Sequence, residues 1–376
     1  MSRQPDLIIV GAGVVGAACA MYAAEAGLRV LVLERGRPAG GVTSAGMGHI
    51  VAMDDSPAQL ALTSYSRGLL ARLATELPPA VEYESCGTIW VAATPDEVAA
   101  ARAKCALYHE HGVGAELLDA ASLRSAEPHL RQGLAGGLLV PDDAVLYQPA
   151  FTRWLLDRAQ QAGATLQSGV TVRVLSRYGV QTSAGPIASG ATLIATGTDT
   201  CELLPGLPII PRKGHLAVTA RVPGMARHQL VELGYLQSAH AMTASSVAFN
   251  VQPRRTGQLL IGSSRELVGP DRSINHDILG QMLTRAVSFM PAIAGVDVLR
   301  VWTGLRPATP DGLPFIGRTA ERDGVWVAAG HEGLGITTSL GTGAIAAALL
   351  TGADPPIDAA PFSPDRSAEP AGASHG

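Results

Sequence analysis

Leu7-Ile8-Ile9-Val10-Gly11-Ala12-Gly13-Val14-Val15-Gly16 is an apolar run that breaks on three closely spaced glycines. A second apolar run, Val30-Leu31-Val32-Leu33, ends on Glu34. The pattern predicts a strand, a glycine turn, a helix ending near Gly27, and a second strand with an acid at its tip. Each glycine has its own task. Gly11 allows the tight turn, Gly13 lets the backbone approach a pyrophosphate, and Gly16 lets the helix pack close to the strand. The helix N-terminus, beginning at Val14 and Val15, turns free N–H groups and its positive dipole end toward the phosphates. Glu34 can accept from ribose hydroxyls and would repel a 2′-phosphate, which disfavours an NADP-type ligand. The plainer reading is a parallel crossover with no ligand. Three glycines at this spacing argue against it.

A chain of 376 residues can hold two to three domain-sized units, or one large nucleotide domain with an insertion. With 47% hydrophobic and only 16% charged residues it is a packed globular protein, not a disordered one. A net charge of −4 speaks against nucleic acid or an anionic membrane as partner. Cys19, Cys86, Cys105 and Cys201 are scattered and form no CxxC pair. That disfavours a zinc site, an iron–sulfur site or a disulfide framework, and no metal site is expected. No signal-peptide pattern precedes the first strand, and no apolar stretch is long enough to span a membrane. The expected location is the cytoplasm.

Further along, Gly40–Gly48 is a loop of small residues, and a helix is expected over about 57–77. Val81-Glu82-Tyr83 and Thr88-Ile89-Trp90-Val91 read as strands around a Cys-Gly turn. Thr94-Pro95 starts a helix to about His111, and Tyr147-Gln148-Pro149 opens another ending at Gly163. Thr165-Leu166 and Val170–Val174 look like strands, and Ala191–Ala195 is a buried strand running into Thr196-Gly197. Residues 211–303 alternate in strand fashion, with one helix near 274–290 and a hairpin around Thr256-Gly257. Val325–Ala329 then leads through a third glycine-rich turn into a small-residue helix, Gly341 to Leu350. Nucleotide-type βα signals at the start, middle and end imply an α/β fold whose Rossmann-type domain is discontinuous. Its pieces are 1–78, 145–210 and 305–361. An antiparallel-sheet (α+β) substrate domain, 79–144 and 211–304, is inserted between them, and 362–376 is expected to be a disordered tail.

Four stretches together resemble the D-amino-acid oxidase and glycine oxidase family of flavoproteins. They are Gly11–Gly16 with Glu34, Thr43-Ser44-Ala45-Gly46-Met47, Ala195-Thr196-Gly197, and Gly304-Leu305-Arg306-Pro307-Ala308-Thr309-Pro310-Asp311-Gly312-Leu313-Pro314-Phe315-Ile316-Gly317. The resemblance runs from about residue 5 to 360 and implies a fold of the glutathione-reductase and D-amino-acid-oxidase type. It implies FAD, not NAD. The residues it assigns to the cofactor are Gly11, Gly13, Val14, Val15, Gly16, Glu34, Arg35, Thr43, Ser44, Gly46, Met47, Val172, Thr196 and Gly197, followed by Gly333, Leu334, Gly335, Ile336 and Thr337. Ser44 would lie near the pyrophosphate, and Val172 would offer its backbone to the adenine. Family members with covalent flavin carry a cysteine after the substrate arginine. Asp311–Gly317 has none, so the FAD is expected to be noncovalent.

The resemblance gives Arg306 the role of gripping the substrate carboxylate. A planar guanidinium can do so with two parallel charge-assisted bonds; the plainer reading is a structural ion pair. His49 is either a substrate contact or a satisfied core histidine. His331 and Glu332 either line the pocket or anchor their loop. Lys213 either anchors flavin or substrate, or lies in a solvated turn. Asn250 stands where glycine oxidase has a tyrosine, which points to a different or more polar substrate.

Within the family, Ala45-Gly46-Met47-Gly48-His49 and Gly330-His331-Glu332-Gly333-Leu334-Gly335-Ile336 look like bacterial D-hydroxyproline dehydrogenase, opine oxidase and hydrogen cyanide synthase flavin subunits. This implies an amino-acid dehydrogenase acting on a small amino or imino acid, with cis-4-hydroxy-D-proline favoured. It also implies a hetero-oligomer with ferredoxin-like and second flavin or nucleotide subunits that take the electrons. The alternatives are an oxygen-using glycine, sarcosine or D-amino-acid oxidase, an opine oxidase or hydrogen cyanide synthase subunit, and an FAD-binding regulatory protein.

Overall fold

Leu7–Val10 lies inside a six-stranded sheet, with helices on one of its faces. In the computed structural model, which describes residues 4–234 and 245–366, the order is Phe315–Arg318, Val325–Ala329, Ala191–Ile194, Leu7–Val10, Val30–Glu34, Thr165–Ser168. All neighbours pair in parallel except the outermost, Phe315–Arg318. Successive side chains point to opposite faces. Leu7, Ile9, Val30 and Val32 join the core under the helices Val14–Glu25, Gln148–Gln161 and Gly335–Thr351. Ile8, Val10, Leu31 and Leu33 pack instead with Leu175 and Val180. Those two belong to a three-stranded meander, Val172–Ser176, Gly179–Thr182 and Gly185–Ala188. Burial on both faces explains the unbroken apolar runs.

The second sheet has eight strands in the order Val298–Ala308, Ile210–Thr219, Leu259–Glu266, Ser245–Pro253, Gln229–Glu232, Thr88–Ala92, Gly136–Val140, Glu116–Asp119. Only Thr88–Ala92 and Gln229–Glu232 pair in parallel. The helix His276–Phe289 covers one face, where the Phe249 and Phe289 rings stack 4.5 Å apart. The other face is turned to the cavity described below. The two sheets draw on alternating stretches of chain, so strand ends from both meet around one space.

The structure corrects several expectations. Val81-Glu82-Tyr83 is not a strand. Pro79–Val81 is a 3-10 turn, and Glu82 takes a left-handed conformation (φ 51°). Two successive prolines, Pro78 and Pro79, preset the turn. The last helix begins at Gly335, six residues before the expected Gly341. Its glycines serve close packing rather than breaking the helix: a Cβ on Gly343 would lie 2.7 Å from the Ala18 carbonyl oxygen. Residues 362–366 are not a loose tail. Phe362 is fully buried, and Arg366 forms a two-pronged pair with Asp311 and lies over the Phe315 ring. The rest of that segment, 367–376, lies outside the described residues. No described helix is long and apolar enough to cross a membrane.

Candidate active site

The glycine turn is built by exclusion. Gly11 has φ +104°, and a Cβ there would lie 2.5 Å from the Ala195 carbonyl oxygen. A Cβ on Gly16 would lie 2.0 Å from the carbonyl oxygen of Gly11. Gly13 differs: its nearest neighbour would be Thr43 Oγ1 at 3.3 Å. Space therefore remains open in front of Gly13, where a ligand backbone can approach. Thr43 Oγ1 accepts from Val14 N at 3.1 Å, tying the small-residue loop to the helix start. Glu34 accepts from Ala12 N through Oε2 and from Gly36 N through Oε1, both at 2.8 Å. Its carboxylate thus braces the turn as well as lining the cavity. Arg35 is held by Asp199.

From this turn a cavity of about 790 Å³ extends to the inner face of the eight-stranded sheet. Its walls include Gly11, Gly13, Val14, Val15, Glu34, Arg35, Thr43, Gly46, Met47, Val172, Thr196, Gly197 and Gly333 to Ile336. Three residues expected at the cofactor are not on the wall. Gly16 serves helix packing. Ser44 donates to the carbonyls of Gly40 and Gly41, so its hydroxyl is spent within its own turn. Thr337 donates to the His49 carbonyl at 2.9 Å and accepts from Val51 N, which fastens the loop after Gly48. Two helices, Val14–Glu25 and Gly335–Thr351, begin at this cavity with no side-chain bond from the N-cap residue and no acid in the first turn; Thr43 takes the N–H of Val14 and leaves the N–H groups that follow it uncapped. Uncapped N–H groups and two positive dipole ends suit an anionic, elongated cofactor. The open space at Gly13, the acid at the strand tip and the volume of the cavity fit FAD.

At the sheet, period-two alternation selects what the cavity meets. On Ile210–Thr219, Arg212, Gly214 and Leu216 line it, while Lys213 and His215 do not. On Leu259–Glu266, Ser263 and Arg265 line it; on Val298–Ala308, Gly304 and Arg306 do. Arg306 pairs in register with Arg212. Its Nη1 donates to the Ser264 carbonyl at 3.0 Å. A Cβ on Gly214 would sit 2.3 Å from that Nη1, so the missing side chain makes the seat for the guanidinium. Gly214→Val should displace Arg306 and raise substrate KM roughly 10- to 100-fold with the flavin still bound. Steady-state kinetics on the yellow variant would check this, and an unchanged KM would refute the seat.

Glu332 lies among three guanidiniums. Its carboxylate is 3.8 Å from Arg212 and 3.6 Å from Arg265. Burial alone would raise its pKa, but Arg265, Arg306, Arg212 and the Gly333 N–H outweigh burial and hold the carboxyl below its ordinary range. It stays ionised. Glu332 also has φ +47°, a strained conformation for this residue, and its N–H donates to the Pro307 carbonyl. His49 lines the cavity and its Nε2 has no partner among the described residues. Burial, helped by the charge of Arg306, pushes its pKa down to about 3. The ring is therefore neutral.

The remaining candidates divide. His331 lies on the cavity wall yet is only 4% exposed, and its Nε2 is bonded to Thr342 Oγ1 at 3.0 Å, so that nitrogen ties the loop to the last helix. Lys213 is neither a flavin anchor nor part of a solvated turn. It is 2% exposed on the far face, paired with Asp271 at 2.7 Å and Glu266 at 3.6 Å. Strand alternation, invisible in the composition of Pro211-Arg212-Lys213-Gly214, sends it there. Asn250 lines the cavity. Sequence reading missed Arg212, Arg265, Trp90 and Gln229. The signal for Arg212 was the alternation Arg212-x-Gly214-x-Leu216.

A dinucleotide cradle opening onto an arginine-lined sheet face defines an FAD-dependent oxidoreductase for a carboxylate-bearing substrate. Residues 6–349 match the family FAD dependent oxidoreductase, DAO, and the chain belongs to it. Similarity spans nearly the whole chain. It is 30% identical to a D-amino acid dehydrogenase of Xanthobacter autotrophicus, covering 97% of this chain and 100% of that one. It is also 30% identical to a glycine oxidase of Geobacillus kaustophilus, covering 96% and 97%. The crystal structure of glycine oxidase from that organism superposes with a TM-score of 0.87 at 28% identity, covering 97% and 100%. The hydrogen cyanide synthase subunit HcnC of Pseudomonas aeruginosa is 29% identical over 96% of each chain. The protein is an FAD-dependent amino-acid dehydrogenase or oxidase.

Proposed function

We infer that the protein dehydrogenates the Cα–N bond of a small cyclic amino acid, with cis-4-hydroxy-D-proline as substrate and a pyrroline carboxylate as product. The observation that carries this reading is Arg306, seated by Gly214 on the face of the same cavity that the glycine turn opens. FAD, when bound, supplies the two-electron acceptor for the hydride leaving Cα. The chain's residues do the rest. The free donors of the Arg306 fork hold the substrate carboxylate and so orient Cα. The reaction needs a neutral amine. Arg212, Arg265 and Arg306 outnumber the Glu332 carboxylate that lies among them, and this local excess of positive charge disfavours an ammonium nearby and lowers its pKa. The amine lone pair then drives hydride loss from Cα, and the nitrogen proton is lost to water to give the imine.

The flavin is held noncovalently in this reading. None of the described cysteines lines the cavity: Cys19 and Cys105 are buried elsewhere, and Cys86 and Cys201 are partly so. The two sheets act as cofactor and substrate domains. Electrons pass to a partner protein or carrier in the cytoplasm, in this reading through ferredoxin-like and second flavin or nucleotide subunits; similarity to a protein named as a subunit of hydrogen cyanide synthase supports a hetero-oligomer. A second reading is an oxygen-using oxidase of glycine, sarcosine or D-amino acids, favoured by the full-length similarity to glycine oxidase. One experiment separates them. The purified protein is mixed anaerobically with D- and L-prolines, hydroxyprolines, sarcosine, glycine and opines, then reoxidised by a dye or by oxygen. We expect cis-4-hydroxy-D-proline to bleach the flavin fastest, with dye far better than oxygen. Full-rate oxygen consumption with glycine would establish the oxidase instead.

A further inference from the structure

Three buried side chains on the cavity face of the eight-stranded sheet each carry a neutral polar atom without a hydrogen-bond partner among the described residues, and the carboxylate clamp makes no use of them. Trp90, Gln229 and Asn250 are 2%, 1% and 7% exposed, and all three line the cavity. Trp90 Nε1, Gln229 Oε1 and Asn250 Oδ1 have no hydrogen-bond partner among the described residues. They come from three neighbouring strands. Val231 pairs with Trp90 on one side and with Asn250 on the other. Trp90 and Asn250 therefore flank Val231 in one row, and Gln229 lies one pleat repeat away on the same face. Trp90 is held rigidly: Lys104 Nζ lies 4.9 Å from its ring centroid and 4.8 Å from that of Tyr108, and Lys104 is itself paired with Asp54.

Buried polar groups are nearly always hydrogen-bonded, so an unpaired set facing a cavity asks what completes it. The three groups carry no charge. Whichever way its amide is turned, each carboxamide brings an acceptor oxygen and an NH₂, and the indole brings one N–H. An apolar substituent would leave all three unpaired. An ammonium would leave the indole N–H without an acceptor. A second carboxylate would be buried against neutral groups: Lys104, beside the Trp90 ring, is already paired with Asp54, and Arg212, Arg265 and Arg306 stand on other strands. A hydroxyl donates one bond and accepts two, which matches the set.

We propose that Trp90, Gln229 and Asn250 form a neutral subsite that reads a hydroxyl on the substrate's carbon skeleton, remote from the carboxylate held by Arg306. This rests on the amino-acid dehydrogenase reading above and supplies its criterion of choice, hydroxylated over unsubstituted substrate.

The test uses the FAD-loaded full-length protein, wild type and the two near-isosteric variants Gln229→Met and Asn250→Leu. Anaerobic flavin bleaching is measured with cis-4-hydroxy-D-proline and D-proline. The flavin absorbance change is also measured with two unreactive acids, cis-3-hydroxycyclopentanecarboxylate and cyclopentanecarboxylate. The wild type should favour the hydroxylated member of each pair by at least about 100-fold, because its absence leaves buried groups unpaired. In each variant the ratio should fall to within about tenfold, with the visible flavin spectrum retained. A wild-type ratio near one, or a ratio that neither variant moves, overturns the subsite and leaves the dehydrogenase reading standing. If no amino acid bleaches the flavin and neither acid perturbs it, the dehydrogenase reading fails and the subsite falls with it.

Discussion

Arg306→Ala should lower kcat/KM for the amino-acid substrate about 100- to 10,000-fold while the purified protein stays yellow. The size follows from the loss of two charge-assisted bonds to a buried carboxylate, each worth about 1.5–3 kcal/mol. Arg306 also helps to hold Glu332 ionised, so its removal weakens the positive surroundings that keep the substrate amine neutral. Arg306→Lys restores the point charge but not the planar fork, and the Gly214 seat is shaped for the fork. That variant should remain roughly 10- to 100-fold impaired, mostly through KM. Flavin content and stopped-flow reduction rates measure both effects. Normal turnover by the alanine variant would remove Arg306 from the site and leave it a structural residue.

The second large effect lies at the glycine turn, where two substitutions separate packing from ligand binding. Gly16→Ala places a methyl 2.0 Å from the Gly11 carbonyl oxygen, a backbone atom, and 3.4 Å from the Ala195 Cβ, so no flexible side-chain end is there to yield. It should disrupt the turn, losing both stability and FAD. Gly13→Ala meets only the Thr43 hydroxyl, at 3.3 Å. The fold should survive with a stability change within about 1 kcal/mol. Yet the new methyl stands where a pyrophosphate must approach, and FAD affinity should fall at least about 100-fold. Thermal unfolding of the apoprotein and FAD titration followed by flavin fluorescence give the two readouts. A Gly13→Ala protein that binds FAD as tightly as wild type would show that the cradle has been misplaced.

Much of the cofactor side could be read directly from the chain. The apolar runs at Leu7 and Val30, the three glycines and Glu34 are local signals, and their spacing alone sets a turn, a helix start and an acid within reach of one another. The substrate side was legible only in part. Arg306 stood out because it precedes Pro307 in a recognisable stretch. Lys213 and Arg212 are adjacent and chemically alike, yet one lies in a buried ion cluster and the other on the cavity wall. Ser44 and Thr43 divide similarly: the threonine ties the loop to the helix start, while the serine closes its own turn. One residue of register sends a side chain to the opposite face, and register in a mixed sheet is set by pairing partners far away in the chain.

The chain's own pattern therefore determined the nucleotide half, because tight turns and helix starts depend on the conformational limits of neighbouring residues. Only the tertiary structure decided the chemistry of the other half. It brought Trp90, Gln229, Asn250, Arg212, Arg265 and Arg306 from six strands onto one wall and set Glu332 opposite three guanidiniums. Charge neighbours and unpaired buried dipoles act over a few ångströms of space, and separation along the chain does not encode that distance.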